Sequence, residues 1–413
     1  MALTLDRGRG LVGSGIVVGV AVAAANGLNV AFQLALARIL DPAEYSLLAA
    51  LFTVVLVAQV TTIAFQASVA REMAQSLAAG RQAEAGAALR DTVARVLVWT
   101  AVLLVVTAVA FGPVTAAFGL HRSVPMAATV VTVAVALAIP VAWGALQAAH
   151  FFVALGLVQI FFAGARLAAG LGIGLAGGGS GAVMIGVAAA TALGLAVSLL
   201  PLRGLWEAAR SLPSSRRRLA TLPNAAAAVG LTLLLALPSF DLLVAKIAFA
   251  SHRAGVYAAA SIGARGLLLV PMGVVTVLFP RVATLGDPAR ERRYLLGGLA
   301  VVAAVSAVAI AVFFAAGRPL LEATFGSKYR GAAAWLGPLS IAMALYALAN
   351  VYLYHFLSLG RSRFALVLIG IFAVQLAAFG AFHSRPAELI GVQIAVSAVT
   401  LAAAELWHLR GDR

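Results

Sequence analysis

The sequence predicts an all-α polytopic membrane protein with twelve transmembrane helices in two lobes of six. Three observations support this prediction. The 413-residue chain is 63% hydrophobic and only 10% charged, which is unlike the composition of a soluble domain. Apolar segments of about 20 residues, the length that crosses a bilayer, follow one another along most of the chain. The basic residues are concentrated in alternate connections, as the positive-inside rule requires.

The predicted spans have the following approximate limits: 11–37, 43–69, 95–118, 124–148, 151–176, 181–202, 222–247, 254–280, 294–316, 331–356, 363–382 and 387–408. With the N-terminus inside, nineteen of the 29 Lys and Arg residues fall on the cytoplasmic side, seven outside and three within spans. This asymmetry supports the count and predicts that both termini are cytoplasmic. We expect a multi-pass protein of a bacterial or archaeal cytoplasmic membrane.

The longest central connection is basic and separates six spans from six. It predicts an N-terminal lobe at 1–202, a cytoplasmic linker at 203–221 and a C-terminal lobe at 222–413, with a short surface helix from Leu202 to Ser211. A weak internal repeat supports two parallel halves, which in many transporters enclose the cargo site. It aligns the junction of spans 1 and 2 with that of spans 7 and 8, with four extra residues in the second loop.

Three cations lie within spans, namely Arg166, Lys246 and Arg265. A cation near the centre of a membrane helix costs about 2.5–3.5 kcal/mol on insertion scales, so it favours a wet cavity or an anion. Arg166 and Arg265 are too deep to reach the interface easily, and we interpret them as binding an anionic cargo. Arg38 and Lys246 lie near the outer ends of their helices, so each either extends outward or turns in toward the same anion.

Polar residues on the spans form stripes spaced by three or four, which places them on one helix face. Such stripes either line a cavity or join helices through polar contacts. Because they occur in both lobes, we favour a cavity that contacts the cargo. The residues concerned are Asn26, Asn29 and Gln33 on helix 1, Gln59 and Gln66 on helix 2, and Tyr346, Asn350 and Tyr354 on helix 10.

Pro238 and Asp241 suggest a break in helix 7. The proline removes a backbone hydrogen bond and frees the carbonyl of Leu234, and the bend would turn Asp241 inward. Asp241 then forms either a static ion pair, with Lys246 or Arg265, or a switch that responds to a proton or cation.

Several functions are excluded or disfavoured by missing motifs. The segment GIGLAG matches a dinucleotide-binding pattern literally but follows no strand, and no phosphate-binding GxxxxGK[ST] motif is present. We find no catalytic set, metal site or cofactor site, and expect no enzyme activity. The net charge of +15 is explained by cytoplasmic loops and anionic lipid, so nucleic acid is not an expected partner.

Three segments resemble polysaccharide flippases, the Wzx-like branch of the MOP (multidrug/oligosaccharidyl-lipid/polysaccharide) exporter superfamily. They are NVAFQLALARILDPAEYSLLAAL, SFDLLVAKIAFASHRAGVYAAASIGARGLLLVPMGVVTVLFPRVA and FGSKYRGA. The resemblance implies two six-helix lobes around a central cavity that opens alternately to each side. It also implies an isoprenoid-diphosphate-linked oligosaccharide as cargo, with polysaccharide polymerases and glycosyltransferases as partners in the same pathway.

Cavity arginines fit a lipid diphosphate, because guanidinium groups form charge-assisted, bidentate bonds with phosphate. We therefore expect a flippase for lipid-linked oligosaccharide. A cation-coupled multidrug exporter of the same superfamily is the alternative, disfavoured because its cargo would need an acidic cavity. A membrane glycosyltransferase using the same lipid is a third hypothesis, disfavoured because the longest outer loop, near 318–331, carries only Glu322.

Overall fold

The computed structural model describes residues 10–61, 63–117, 123–211, 225–271, 288–359 and 363–410, and within these ranges all regular structure is helical. The end of predicted span 8 and the second half of the predicted linker lie outside the described residues. So do the basic residues 216–218, 281 and 361. The prediction of an all-helical membrane protein is confirmed.

The first half of the chain forms helices over all six predicted spans. Their bounds are α1 Gly10–Ile39, α2 Pro42–Thr61, α3 Ile63–Ala78, α4 Gln82–Ala117, α5 Val124–Ala136, α6 Ile139–Ala148, α7 Phe152–Leu175, α8 Ser180–Leu199 and α9 Arg203–Ala208, with 3-10 turns at Leu200–Leu202 and Ala209–Ser211. The helix predicted at the start of the linker is therefore present. It packs on α4, where the Arg90 Nη1 donates to the carbonyl of Ala209 at 3.0 Å.

The second half contains longer helices and one clear break. The bounds are α10 Ala225–Ala236, α11 Phe240–Ala248, α12 Ser251–Arg265, α13 Pro288–Thr324, α14 Ala333–Ser358, α15 Phe364–Ala381 and α16 Pro386–Arg410, with 3-10 turns at Gly266–Leu269 and Ser327–Ala332. Predicted span 7 corresponds to α10 and α11 together. Nine helical segments among the described residues are long and apolar enough to cross a membrane, and the chain is a multi-pass membrane protein.

The chain divides into two compact units. Unit 1 comprises Met1–Ile39 and Val54–Pro223, and unit 2 comprises Leu40–Thr53 and Asn224–Arg413. The first part of α2 therefore belongs with the second half of the chain, which a purely linear division at the linker does not anticipate. Within unit 2, a close approach explains this assignment: a Cβ added to Gly255 would lie 1.8 Å from the carbonyl oxygen of Pro42.

The two junctions of the predicted repeat have equal connections, contrary to the predicted insertion. α1 ends at Ile39 and α2 begins at Pro42, while α11 ends at Ala248 and α12 begins at Ser251. Two residues separate the helices in each case. The extra residues of the second copy are therefore taken up within helices rather than in a longer loop.

Candidate functional site

Asp241 is the centre of a polar cluster inside unit 2. Its side chain is fully buried. The Oδ1 atom accepts from Arg265 Nη2 at 2.6 Å, and the Oδ2 atom accepts from Tyr257 Oη at 3.0 Å and from Ser261 Oγ at 2.7 Å. We call these four residues the carboxylate cluster. Because a buried carboxylate is costly unless it is paired and hydrogen-bonded, the three donors explain why an acid is tolerated here.

The three donors follow from one helical face. Tyr257, Ser261 and Arg265 are spaced by four on α12, so they lie above one another along one side of the helix. Asp241 lies in the first turn of α11, where the helix dipole favours a negative charge. Of the two partners predicted for Asp241, the structure pairs it with Arg265.

The break before Asp241 is held by side-chain amides. Pro238 lies between α10 and α11, and the carbonyl of Leu237 beside it accepts from Gln375 Nε2 at 2.8 Å and from Gln393 Nε2 at 3.3 Å. A backbone carbonyl at membrane depth needs such a partner. The two amides, one on α15 and one on α16, thus donate hydrogen bonds to the Leu237 carbonyl at the break that Pro238 predicted.

Tyr346 belongs to the same amide cluster, which we define as Tyr346, Gln375, Gln393 and the Leu237 carbonyl. Its hydroxyl donates to Gln393 Oε1 at 3.1 Å, and its side chain is fully buried. Asn350, one turn further on α14, is only 6% exposed. Tyr346 therefore joins helices within unit 2, whereas Tyr354 of the same stripe is partly exposed. Contact of this stripe with a cargo stays a prediction.

Lys246 and Arg38 lie near the ends of α11 and α1. Lys246 Nζ donates to Ser251 Oγ at 3.2 Å, across the connection between α11 and α12, and so does not pair with Asp241. Arg38 is exposed in the last turn of α1. Both positions fit the alternative in which the cation extends toward a helix end, where its charge also complements the helix dipole.

Arg166 lies in unit 1 and has aromatic neighbours. Its guanidinium carbon is 5.5 Å from the ring centre of Phe32 on α1 and 5.3 Å from that of Phe162, one turn earlier on α7. We call this group the arginine stack. The side chain is partly exposed, whereas Phe32 is 1% exposed. A guanidinium group over an aromatic face is stabilised while its edges remain able to bind an anion.

The polar stripe of α1 is close in sequence to Phe32, the member of the arginine stack that lies on the same helix. Asn26, Asn29 and Gln33 are all partly exposed, in contrast to the buried Tyr346 and Asn350 of unit 2. Gln33 directly follows Phe32, and its Oε1 atom is buried without a hydrogen-bond partner among the described residues. Gln59 on α2 is also partly exposed.

Sequence reasoning missed four polar residues of unit 2: Tyr257, Ser261, Gln375 and Gln393. The spacing of Tyr257, Ser261 and Arg265 was visible and could have indicated that all three face one partner. No local signal identifies the two glutamines, because the carbonyl they bind is 138 and 156 residues away in the chain.

Glu405 lies near the end of α16 and is partly exposed. Its carboxylate accepts a hydrogen bond from the hydroxyl of Tyr352 on α14. Because Tyr352 is only 4% exposed, the carboxylate of Glu405 faces a neighbouring helix.

No protein-family model and no curated protein matches the chain in sequence, but solved structures share its fold. An inward-facing multidrug resistance transporter of the MATE family, in the MOP superfamily, gives a TM-score of 0.70 at 14% identity over 93% of this chain and 92% of its own. The eukaryotic MATE transporter AtDTX14 gives 0.68 at 13% identity over 97% and 94%. The lipid II flippase MurJ, inward closed, gives 0.70 at 9% identity over 96% and 88%. The chain therefore has the fold of these membrane transporters.

Proposed function

We propose that this protein is a transporter of the MOP superfamily that works by alternating access, and that its cargo is an isoprenoid-diphosphate-linked oligosaccharide. It would move this cargo from the cytoplasmic to the outer leaflet for cell-surface polysaccharide synthesis. The likeness to MATE transporters and to the MurJ flippase over more than nine-tenths of the chain supports the transporter class. The Wzx-like sequence segments support the branch.

The observation that carries the cargo assignment is the distribution of buried charge. Asp241 is the one acid that is fully buried among the described residues, and Arg265, Tyr257 and Ser261 already occupy its two oxygens. Arg166 in unit 1 is a deep cation on an aromatic platform. Unit 1 thus carries a partly exposed cation within an apolar helix, which a diphosphate can meet through charge-assisted bonds.

Multidrug export is the competing function, since a MATE transporter and the MurJ flippase both give a TM-score of 0.70. Fold likeness therefore does not distinguish a cationic drug from an anionic lipid as cargo. The charge of the binding residues has to distinguish them. A cationic drug would need an acid in the interior whose oxygens can bind it. Both carboxylate oxygens of Asp241 already accept hydrogen bonds from side chains of unit 2. This favours an anionic cargo.

We assign different roles to the predicted binding residues. Arg166 would bind the diphosphate, and the partly exposed Asn26, Asn29 and Gln33 would bind sugar hydroxyls. Arg265 would join the anion only when Asp241 releases it. Arg38, Lys246 and Gln59 remain weaker candidates near the cargo path.

The carboxylate cluster would act as the coupling element. Protonation of Asp241, or its capture by a cation, would remove the charge that holds Arg265 and would loosen α11 against α12. Pro238 would serve as the hinge, because the chain on either side of it is helical and the proline interrupts the hydrogen-bond ladder.

Leaflet translocation tests this proposal. The purified protein is placed in vesicles with a fluorescent polyisoprenyl-diphosphate oligosaccharide, and the cargo that reaches the other leaflet is quenched or modified. Arg166→Gln should slow translocation by about tenfold or more, because one charge-assisted bond pair is lost. Arg318→Gln is the matched control, since Arg318 is exposed and pairs with Glu322 on the same helix.

Unchanged translocation in Arg166→Gln would remove the basis for the cargo assignment. Proton- or sodium-driven efflux of a cationic dye by the wild-type protein, with no movement of the lipid-linked glycan, would favour the multidrug function instead.

A further inference from the structure

An apolar groove runs along the outside of the last two helices. It lies between α15 and α16 and has a volume of about 710 Å³. Its walls are two stripes with helical spacing, represented by Val367, Val374 and Ala378 on α15 and by Val392, Ala395 and Val399 on α16. From Val367 to Ala378 the groove follows α15 for about 17 Å at the α-helical rise of about 1.5 Å per residue.

The floor of the groove is open because small residues form part of it. Gly370 and Gly391 line the groove, and a Cβ added to either would meet nothing within 4 Å. Both helices are candidate membrane spans. Water in such a groove would lack polar partners, and an empty groove would forfeit dispersion contacts. A hydrocarbon chain is therefore the occupant that fits its walls.

The end of the groove at Glu388, which we call its mouth, is lined by one acid, and a base lies three residues before that acid in the chain. Glu388 is the charged residue in the lining, and its Oε2 atom accepts from the backbone N–H groups of Ser384 at 2.8 Å and Arg385 at 3.3 Å. The side chain of Arg385 is exposed in the short connection before α16. Arg385 is outside the lining, but its exposed side chain is three residues from Glu388, so both charges are available to a headgroup at this mouth.

We propose that this groove is a binding site for a zwitterionic aminophospholipid such as phosphatidylethanolamine. One acyl chain lies in the groove, the phosphate contacts Arg385, and the primary ammonium contacts Glu388. Phosphatidylcholine lacks ammonium hydrogens to donate, and phosphatidylglycerol lacks the positive charge, so both fit this mouth less well. The site is independent of the cargo proposed above.

Native mass spectrometry of the full chain tests this proposal. The protein is mixed with equal amounts of phosphatidylethanolamine, phosphatidylcholine and phosphatidylglycerol that have identical acyl chains, together with a polyisoprenyl diphosphate. We expect retained phosphatidylethanolamine to exceed each other phospholipid by about two- to fivefold, the range of a weak exposed ion pair. Arg385→Gln and Glu388→Gln should each abolish that preference.

Filling the groove separates this site from lipid bound elsewhere. Gly370→Leu should lower phosphatidylethanolamine retention by about tenfold, because leucine displaces buried methylene groups. Gly380→Leu is the matched control, since a Cβ at Gly380 also meets nothing within 4 Å but this residue is not in the lining. Gly391→Leu fills the groove from the other helix and serves if Gly370→Leu does not fold.

Two results would overturn the proposal. One is equal retention by the groove-filling variants and Gly380→Leu, which would place the lipid elsewhere. The other is a preference for phosphatidylglycerol or for the polyisoprenyl diphosphate, which would assign the groove to an anionic lipid or to the tail of the cargo.

Discussion

The two deep arginines lie in different units and in different chemical surroundings. In unit 2, Arg265 is 16% exposed at its side chain and contacts the fully buried Asp241 at 2.6 Å. In unit 1, Arg166 lies over the rings of Phe32 and Phe162. From the sequence alone the two residues are equivalent, since each is a cation inside a long apolar segment.

This difference shows that depth in the membrane does not fix the role of a charge. The charge of Arg265 is compensated by an acid that two further donors also hold, so its first role is to stabilise α11 against α12. Aromatic rings carry no net charge, so Phe32 and Phe162 stabilise the guanidinium group of Arg166 as rings and not as counter-charges. The proposed function therefore assigns anion binding first to Arg166 and structural pairing first to Arg265, and the next predictions test this contrast.

The largest expected effect comes from Asp241→Asn, which leaves Arg265 buried without its counter-charge. Removing one partner of a buried pair costs about 3–5 kcal/mol, so the variant should unfold at a much lower temperature in detergent. Glu322→Gln is the control, because its pair with Arg318 is exposed and should matter little. Adding Arg265→Gln to Asp241→Asn should recover part of the loss; equal melting of Asp241→Asn and the control would contradict a buried ion pair.

The next effect tests how α12 is held in place. Gly255→Ala would place a Cβ 1.8 Å from the carbonyl oxygen of Pro42, and backbone has little room to move. We expect destabilisation at the upper end of the range of about 1–3 kcal/mol for overpacking, measured by thermal unfolding. Gly331→Ala, whose Cβ would lie 3.7 Å from Val256, should be near neutral. If Gly255→Ala and Gly331→Ala unfold at the same temperature, the close approach of Gly255 to Pro42 does not fix the position of α12.

A smaller effect is expected when a single donor is removed from the carboxylate cluster. Ser261→Ala deletes the 2.7 Å hydrogen bond to Asp241 but leaves the Arg265 charge in place. Hydrogen bonds to charged groups contribute about 1.5–3 kcal/mol to stability. We expect the lower end because Tyr257 and Arg265 still donate to the carboxylate. Thr191→Ala in unit 1 is a useful comparison, since that hydroxyl only bonds its own helix at 2.7 Å. A cost no greater than that of Thr191→Ala would mean that the carboxylate does not depend on Ser261.

The smallest effect on stability should come from Arg166→Gln. A cation–π contact contributes about 0.5–2 kcal/mol, and removing a charge from an apolar segment offsets part of that loss. Thermal unfolding should therefore barely change, even though translocation is expected to fall. A large drop in the unfolding temperature would show instead that Arg166 is a structural residue, which would erase the contrast with Arg265.

Much of the fold was predictable because its causes are local. The length of each apolar segment requires a helix across the membrane, and all twelve predicted spans correspond to helices as far as they are described. Pro238 predicted the break in span 7 since proline cannot continue the hydrogen-bond ladder. Asp241 had two credible cationic partners, and local sequence could not choose between them.

The sequence by itself determined that this chain is a helical membrane protein, where its helices lie, and that it carries cations at membrane depth. Tertiary structure alone decided that Tyr346 and Asn350 are interior, that Leu40–Thr53 joins unit 2 and that Arg166 meets Phe32. The physical reason is that hydrophobic length and backbone hydrogen bonding act within a segment. Pairing of a buried polar group depends instead on side chains that are distant in sequence, such as Gln375 and the carbonyl of Leu237.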